Sequence, residues 1–571
     1  MDDRTRYIPS HTGRHVLPNL PFFHKLLRFA QRRPPRVAVR DVNAGLEKTY
    51  QEVVSDALVL REELAKTLSL ETLNSLFRDE EVFVGLLAPG GYEYTVGFIA
   101  ILSLGAAVVP LASGLPVVEA SYFLHKAQCV ALLVSETNVS LGQSIIRSLE
   151  EEKHFHLPCL PSIASFFSSQ PTSADEIVVS SNRMLDMNGA SAVIFTSGTT
   201  GPPKGAVQRR TWLTGNAEAD ADFYRITEQD VVLHVLPVHH ASGVGLTFLP
   251  FIIAGACIEF RSGSFDAAWT WERWRRGGLS FFSGVPTIYM RLMRYFEEAI
   301  ASRPPEERVE YAAGARNIRT MLCGSSALPG PVQDFWENLR QLPILTRYGA
   351  TEFGTVIKTD LDPSGTPRNS VGRVVESASL RLEDDGHLLV KCPYMFSKYL
   401  HDEKATIEAH DKDGYFKSGD IARRDGTYYF ILGRASIDII KSGGYKISAL
   451  DIEREILGLP YVAEVMVVGI PDEEFGQRVA ATVSLKKESG GSSSSSSRTR
   501  TELTLQELRH DLRTKLAGYK MPTILRLVEG ELPKSGTAKV QKRILGPAYF
   551  PPNFRDIPEV QVWQSDSKSK L

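Results

Sequence analysis

Ten residues constrain this chain more than any others: Thr196-Ser-Gly-Thr-Thr-Gly-Pro-Pro-Lys204-Gly205. They come after an apolar, strand-like run, Ala192 to Phe195, and put three glycines, four hydroxyls and a lysine into one short loop. Glycine lets the backbone come close to a ligand, amides and hydroxyls donate hydrogen bonds, and lysine supplies positive charge, so the composition suits a phosphate clamp. The Walker A pattern, Gly-x4-Gly-Lys-Ser/Thr, does not fit here. Composition alone would also describe a surface turn; the order of the residues, together with the motifs downstream of them, argues for the clamp.

A chain of 571 residues is long enough for several domains or subdomains with ample core. Its net charge of −2 gives no reason to expect a nucleic-acid or anionic-membrane partner. The five cysteines (Cys129, Cys159, Cys257, Cys323 and Cys392) are scattered and form no Cys-x-x-Cys pair, which argues against a zinc site or a disulfide framework. Reduced thiols in an intracellular protein are the simplest reading. The first residues lack the apolar core of a secretory signal. Val96 to Leu111 is apolar enough to suggest a membrane span, but Gly105 and Pro110 divide it, so a buried helix followed by a core strand is expected and no span. The last three residues, Ser569-Lys570-Leu571, form a receptor-read peroxisomal address at the end of a polar tail. They predict a peroxisomal location and an import receptor as partner.

From about Asn19 to Glu383, apolar strand-like runs such as Val82–Leu87, Val130–Val134, Val231–Val235 and Arg319–Cys323 alternate with helical patterns, which predicts α/β layering with largely parallel sheets. A strand-rich stretch comes next, punctuated by Asp-Gly turns at 385–386, 413–414 and 425–426. The division expected is a large N-terminal domain over 20–433 that includes a small strand-rich subdomain, a small mobile α+β domain over 434–545, and a flexible tail over 546–571. The serine-rich run 489–497 reads as a flexible insertion between a strand and a helix.

Four further motifs lie downstream of the clamp loop: Gly324-Ser325-Ser326-Ala327-Leu328, Arg347-Tyr348-Gly349-Ala350-Thr351-Glu352, Ser418-Gly419-Asp420, and Leu532-Pro-Lys-Ser-Gly-Thr-Ala-Lys539. In this order they resemble the adenylate-forming superfamily, which includes acyl-CoA synthetases, firefly luciferase and the adenylation domains of peptide synthetases. The resemblance covers roughly residues 20 to 545. It implies that Thr196, Ser197, Gly198, Thr199, Thr200, Gly201 and Lys204 clamp the phosphates of ATP. It places Ser325 beside adenine, stacks Tyr348 on adenine, sets Thr351 at the α-phosphate and gives Glu352 the Mg²⁺ ion. Asp420 would accept from the ribose hydroxyls, with Arg434 beside it at the interdomain hinge, two residues before Ser436. Lys539 corresponds to the catalytic lysine, although Ala538 stands where the family has glycine and the glycine sits at 536. Lys441, Gly443 and Gly444 fall in the segment presented to the pantetheine arm of coenzyme A.

The implied reaction is attack of a carboxylate on the α-phosphorus of ATP, followed by thiol attack on the acyl-adenylate. Both partners of the first step are anions, so a lysine between them stabilises the crowded transition state. For the acid, the resemblance points to His240 as a pocket wall and to Arg291 as a cation for a second carboxylate, and its nearest motifs are those of malonyl-CoA synthetases. Ala350 stands where those enzymes usually carry methionine, which enlarges the pocket toward a longer or branched acid. Three rivals stand beside the acyl-CoA ligase: an adenylating enzyme that loads a carrier protein, a luciferase-type oxidase that shares the fold and first step, and a non-catalytic nucleotide- or acyl-binding relative.

Overall fold

The computed structural model describes residues 15–196, 202–486, 502–534 and 540–563. Among them, two large sheets build the first four hundred or so residues, and a separate six-stranded sheet comes after. The layered α/β arrangement expected from the alternating pattern is present. The first sheet has seven strands and a parallel centre in which Phe83–Leu87 lies between Ala107–Leu111 and Ala131–Val134. Strands buried on both faces read as continuous apolar runs, and every residue of these three is buried. The stretch that suggested a membrane span is the helix Tyr92–Ser103 followed by the strand Ala107–Leu111. Gly105 turns the chain between them at φ +86°. No helix among the described residues is long and apolar enough to cross a membrane.

The second sheet has thirteen strands. Its parallel half aligns Val231–His234, Phe281–Gly284, Thr320–Cys323 and Leu345–Ala350, so the four strands deliver their C-terminal ends to one edge. In open parallel sheets that edge is where ligands bind. Behind it, Trp271, Trp274 and Trp336 are almost fully buried, and the rings of Trp271 and Trp336 stack 5.6 Å apart. The antiparallel half continues through Gly354–Lys358 and Gly372–Val374 to the long hairpin Phe416–Asp425 with Tyr428–Arg434.

The six-stranded sheet joins Ile439–Ser442, Tyr445–Ser448, Val462–Asp472, Gly476–Leu485, Ile524–Val528 and Val560–Val562. The last strand corrects the expectation of a flexible tail from residue 546: Val560–Val562 pairs with Ile524–Arg526 and closes the sheet. Apolar groups inside the Pro-rich stretch are the reason, since Phe550, Phe554 and Val560 bury against Met466 and Ile524. The serine-rich run and Ser569-Lys570-Leu571 lie outside the described residues.

One buried ion pair supports the strand that carries the Arg347–Glu352 motif. Lys358, in register with Arg347 on the neighbouring strand, pairs with Asp220, and the side chains are 3% and 4% exposed. Its ammonium also sits over the rings of Phe223 and Tyr224, at 4.7 and 5.5 Å. Replacing Lys358 with methionine strands the Asp220 carboxylate, so the large domain should lose about 3–5 kcal/mol of stability in urea denaturation followed by tryptophan fluorescence.

Candidate active site

The strand Ala190–Thr196 runs antiparallel to Lys204–Arg209, with Thr196 opposite Lys204 and Phe195 opposite Gly205. The two ends of the clamp loop are thereby fixed side by side, and the Thr196 hydroxyl donates to the Lys204 carbonyl at 3.3 Å. Ser197, Gly198, Thr199, Thr200 and Gly201 lie outside the described residues. The outer face of this hairpin is held by the bridge Lys398–Tyr399, in which Tyr399 pairs with Ala206. Tyr399 does two further things: its ring sits 5.1 Å from the Lys204 ammonium, and its hydroxyl donates to Glu352 Oε1 at 2.8 Å. Lys204, expected at the phosphates, and Glu352, expected at magnesium, are therefore joined through one tyrosine. Burial, with the Glu352 charge beside it, raises the Tyr399 pKa, so the phenol stays a neutral donor. Gln208, on the clamp hairpin, donates to the Thr351 carbonyl at 2.9 Å and ties the two motifs together from below.

The Arg347–Glu352 motif forms the end of Leu345–Ala350 and the turn back into Gly354–Lys358. The turn is tight: a Cβ on Gly349 would lie 2.2 Å from the Gly354 carbonyl oxygen, and Gly354 has φ +69° with Asn216 close against it. Ala350 pairs with Gly354 and packs on the cluster that holds Phe353 and Ile357. Tyr348 donates its hydroxyl to Asp420 Oδ2 at 2.6 Å, and Arg434 Nε stands 2.9 Å from Asp420 Oδ1. Asp420 and Arg434 are also opposite each other in their hairpin. Asp420 is 7% exposed and its backbone N–H is capped by Ser418 Oγ. Desolvation and the adjacent Asp420 charge push the Tyr348 phenol well above its ordinary value. Tyr348 and Arg434, placed beside Asp420 only by resemblance, thus share its carboxylate.

Ser325 comes just after the strand Thr320–Cys323 in a left-handed conformation, φ +69°, with its side chain exposed. Such a conformation is uncommon for a residue other than glycine and clusters at functional sites. His240 caps the short turn Ala241–Gly243: its Nδ1 accepts the Ser242 N–H, so a neutral ring carries its proton on Nε2. His234 and His239 are both pushed down to about 4 by burial, and the His234 ring contacts the Gly243 carbonyl at 3.1 Å. His234 and His239 are therefore uncharged near pH 7. Gly245 lies against Trp212, joining the π-helical turns Trp212–Asn216 and Val244–Phe248; such turns recur at functional sites.

Two arginines are available to a second carboxylate. Arg291, the cation expected from sequence, is exposed on the helix Pro286–Tyr295. After the hydrogen bond from Lys534, its charge and that of Arg294 help hold the Glu531 carboxyl below the usual range. This places it toward the segment that leads into the lysine motif. Arg347, to which the motif assigns no role, is 6% exposed, donates from Nη2 to Ser283 Oγ at 2.8 Å and also faces the Tyr224 hydroxyl, while its buried Nε has no hydrogen-bond partner among the described residues. It lies beneath Gly324, whose Cβ would sit 3.3 Å from Arg347 Cγ. A charged residue directly before the tyrosine of a core strand was the available signal. Tyr399 had none, being an aromatic residue in an irregular stretch.

In the small unit, Lys441 ends up exposed and the turn after it is made by Gly443 and Gly444, at φ +55° and +83°. Lys539 lies outside the described residues. No group of three or more His, Cys, Asp or Glu side chains among the described residues forms a metal cage. Glu352 alone fits Mg²⁺ as nucleotide enzymes use it, through one or two carboxylates plus substrate phosphates.

The chain matches the family model of the AMP-binding enzymes over residues 26–400 and that of the AMP-binding enzyme C-terminal domain over 451–539. It is 32% identical to a CoA ligase of Gibberella moniliformis, covering 90% of this chain and 92% of that protein. It is 30% identical to the mitochondrial malonate–CoA ligase of Homo sapiens, covering 92% and 91%. The fold superposes on ATP-bound MatB from Rhodopseudomonas palustris with TM-score 0.74 at 24% identity, over 93% of this chain and 98% of that one.

Tyr348→Phe removes the hydroxyl and keeps the ring. Losing a hydrogen bond to a charged acceptor is worth about 1.5–3 kcal/mol, so KM for ATP should rise roughly tenfold or more while KM for the acid holds, measured by pyrophosphate release.

Proposed function

The chain belongs to the AMP-binding enzyme family and is an AMP-forming acyl-CoA synthetase, and from that premise we propose that its acid is a compact dicarboxylate bulkier than malonate. The observation that carries this reading is the buried Arg347, whose Nε has no hydrogen-bond partner among the described residues, at the C-terminal ends of the central strands. A carboxylate taken out of water is very costly unless a cation pairs with it. Conversely, a buried guanidinium with a donor to spare can pair with such a group. The exposed Arg291 remains hydrated and gains less from the same pairing, so Arg347 is the favoured cation for the distal carboxylate. Relatives named malonate–CoA ligases support a diacid. Ala350 in place of the expected methionine supports one with a branch or an extra methylene.

Each residue then has a task. Lys204 and the clamp loop hold the β- and γ-phosphates, Tyr348 and Asp420 fix the nucleoside, and Thr351 addresses the α-phosphate. Mg²⁺, where bound at Glu352, supplies charge neutralisation to the departing pyrophosphate. Lys539 bridges the attacking carboxylate and the α-phosphate. His240 walls the acid from the thiol route, and the Lys441–Gly444 turn receives the pantetheine arm. The terminal Ser569-Lys570-Leu571 is the address that would take the enzyme to peroxisomes through its import receptor.

Acetate, malonate, methylmalonate, succinate, and medium- and long-chain monoacids should be compared by CoA-dependent AMP release. Turnover should favour the diacids beyond malonate, and Arg347→Met should raise KM for diacids at least tenfold, while Arg291→Ala changes it less. A preference for monoacids, indifferent to Arg347, would contradict the diacid reading. Fluorescently tagged full-length protein should be punctate and become diffuse when Ser569–Leu571 are deleted; identical diffuse staining would contradict the address.

A further inference from the structure

Between the hinge and the lysine motif lies a buried ion cluster that neither motif explains. Lys542 Nζ is 2.7 Å from Asp438 Oδ1 and 2.8 Å from Glu453 Oε1, and its side chain is 12% exposed. The second Asp438 oxygen accepts the backbone N–H of Arg434 at 3.0 Å, and the Asp438 N–H donates to the Arg434 carbonyl at 2.8 Å. These two bonds straddle Ser436, the hinge position. Glu453 Oε1 also accepts the Val467 N–H at 2.6 Å, which anchors the cluster in the small sheet. The approach there is close: a Cβ on Gly433 would lie 2.4 Å from Asp438 Cβ.

Lys542 is three residues beyond Lys539 and begins the helix Lys542–Tyr549. The opposite stem is held by a second buried carboxylate. Glu464, 7% exposed, accepts the Leu532 N–H at 2.7 Å and the Lys534 ammonium at 2.5 Å. Lys534 pairs with Val540 as an isolated bridge, so the two ends of the segment 535–539 are brought together. Buried ion pairs add little stability over apolar packing of the same volume; their best-attested service is to fix a register.

We propose that Lys542 is a positioning residue: it sets the Lys539 segment for adenylate formation and, through Asp438, ties that setting to the state of the hinge. Rotation about Ser436 breaks the two Asp438–Arg434 bonds and disturbs one of the two carboxylates that hold Lys542. Lys542 is thus held by both carboxylates while the hinge is clasped and by Glu453 alone once it turns. The inference rests on the reading of Lys539 as the catalytic lysine.

The experiment uses full-length Lys542→Met, Lys542→Arg and Lys539→Ala with the best acid of the panel. Adenylation is read by acid-dependent ATP–pyrophosphate exchange, and transfer by thioester formation from supplied acyl-AMP and CoA. Lys542→Met should lower exchange roughly 100-fold, the scale of a small misplacement of a reacting group. Transfer should stay within about threefold of the parent, and Lys542→Arg should restore most of the exchange. Equal loss of both half-reactions, not rescued by arginine, would reduce Lys542 to a structural residue and overturn the proposal. Exchange lost in Lys539→Ala but kept in Lys542→Met would overturn the positioning role alone. Exchange kept in Lys539→Ala would overturn the reading on which it rests. Should Lys542→Met fail to fold, Glu464→Gln on the opposite stem decides: the same split between half-reactions supports the clamp, and uniform loss or no loss contradicts it.

Discussion

The site depends on one carboxylate. Asp420 accepts from Tyr348 on one oxygen and pairs with Arg434 on the other, so a core strand of the large domain and the arginine just before the hinge meet on a single group. Ser418 Oγ caps its backbone N–H, and that serine in turn donates to the Leu388 carbonyl at 2.6 Å, which leaves the group little room to move. A charge held this way can orient a ribose without reorganising when the nucleotide arrives, and pre-organisation of this kind keeps the cost of binding low.

Much of this was legible in the sequence because the chemistry is local. The Tyr348–Glu352 motif and the Ser418–Asp420 turn each place their functional groups within a few residues, where turn and strand geometry leave few alternatives. The helix and strand hidden in Val96–Leu111 were legible for the same reason: Gly105 breaks the apolar run where the chain turns. What escaped were partners brought from afar. Tyr399 reaches Glu352 and Lys204 only because an irregular segment adds a bridge to the clamp hairpin. Lys542 meets Asp438 and Glu453 across about a hundred residues of chain. The closing strand Val560–Val562 was hidden by the prolines before it, which read as a tail although the aromatic residues between them bury.

In the proposed acid site, burial decides between residues of the same charge. Sequence placed Arg291 after a pocket-lining motif, and the structure leaves it exposed and turned toward Glu531. Arg347, beneath Gly324 and bonded to Ser283, is where desolvation makes a cation count. His234 and His239 add no charge of their own, since burial keeps them uncharged near pH 7. The burial of Arg347 is why the diacid proposal is built on it and not on Arg291.

The most direct test of the acyl-adenylate route is the fate of oxygen. With the preferred acid labelled in its carboxylates by ¹⁸O, attack on the α-phosphorus transfers one labelled oxygen to the phosphate of AMP when the thioester forms. Mass spectrometry of the released AMP should therefore show a gain of one ¹⁸O. Unlabelled AMP, or label recovered instead in inorganic phosphate beside ADP, would mean that the carboxylate is activated by another route and would contradict the account.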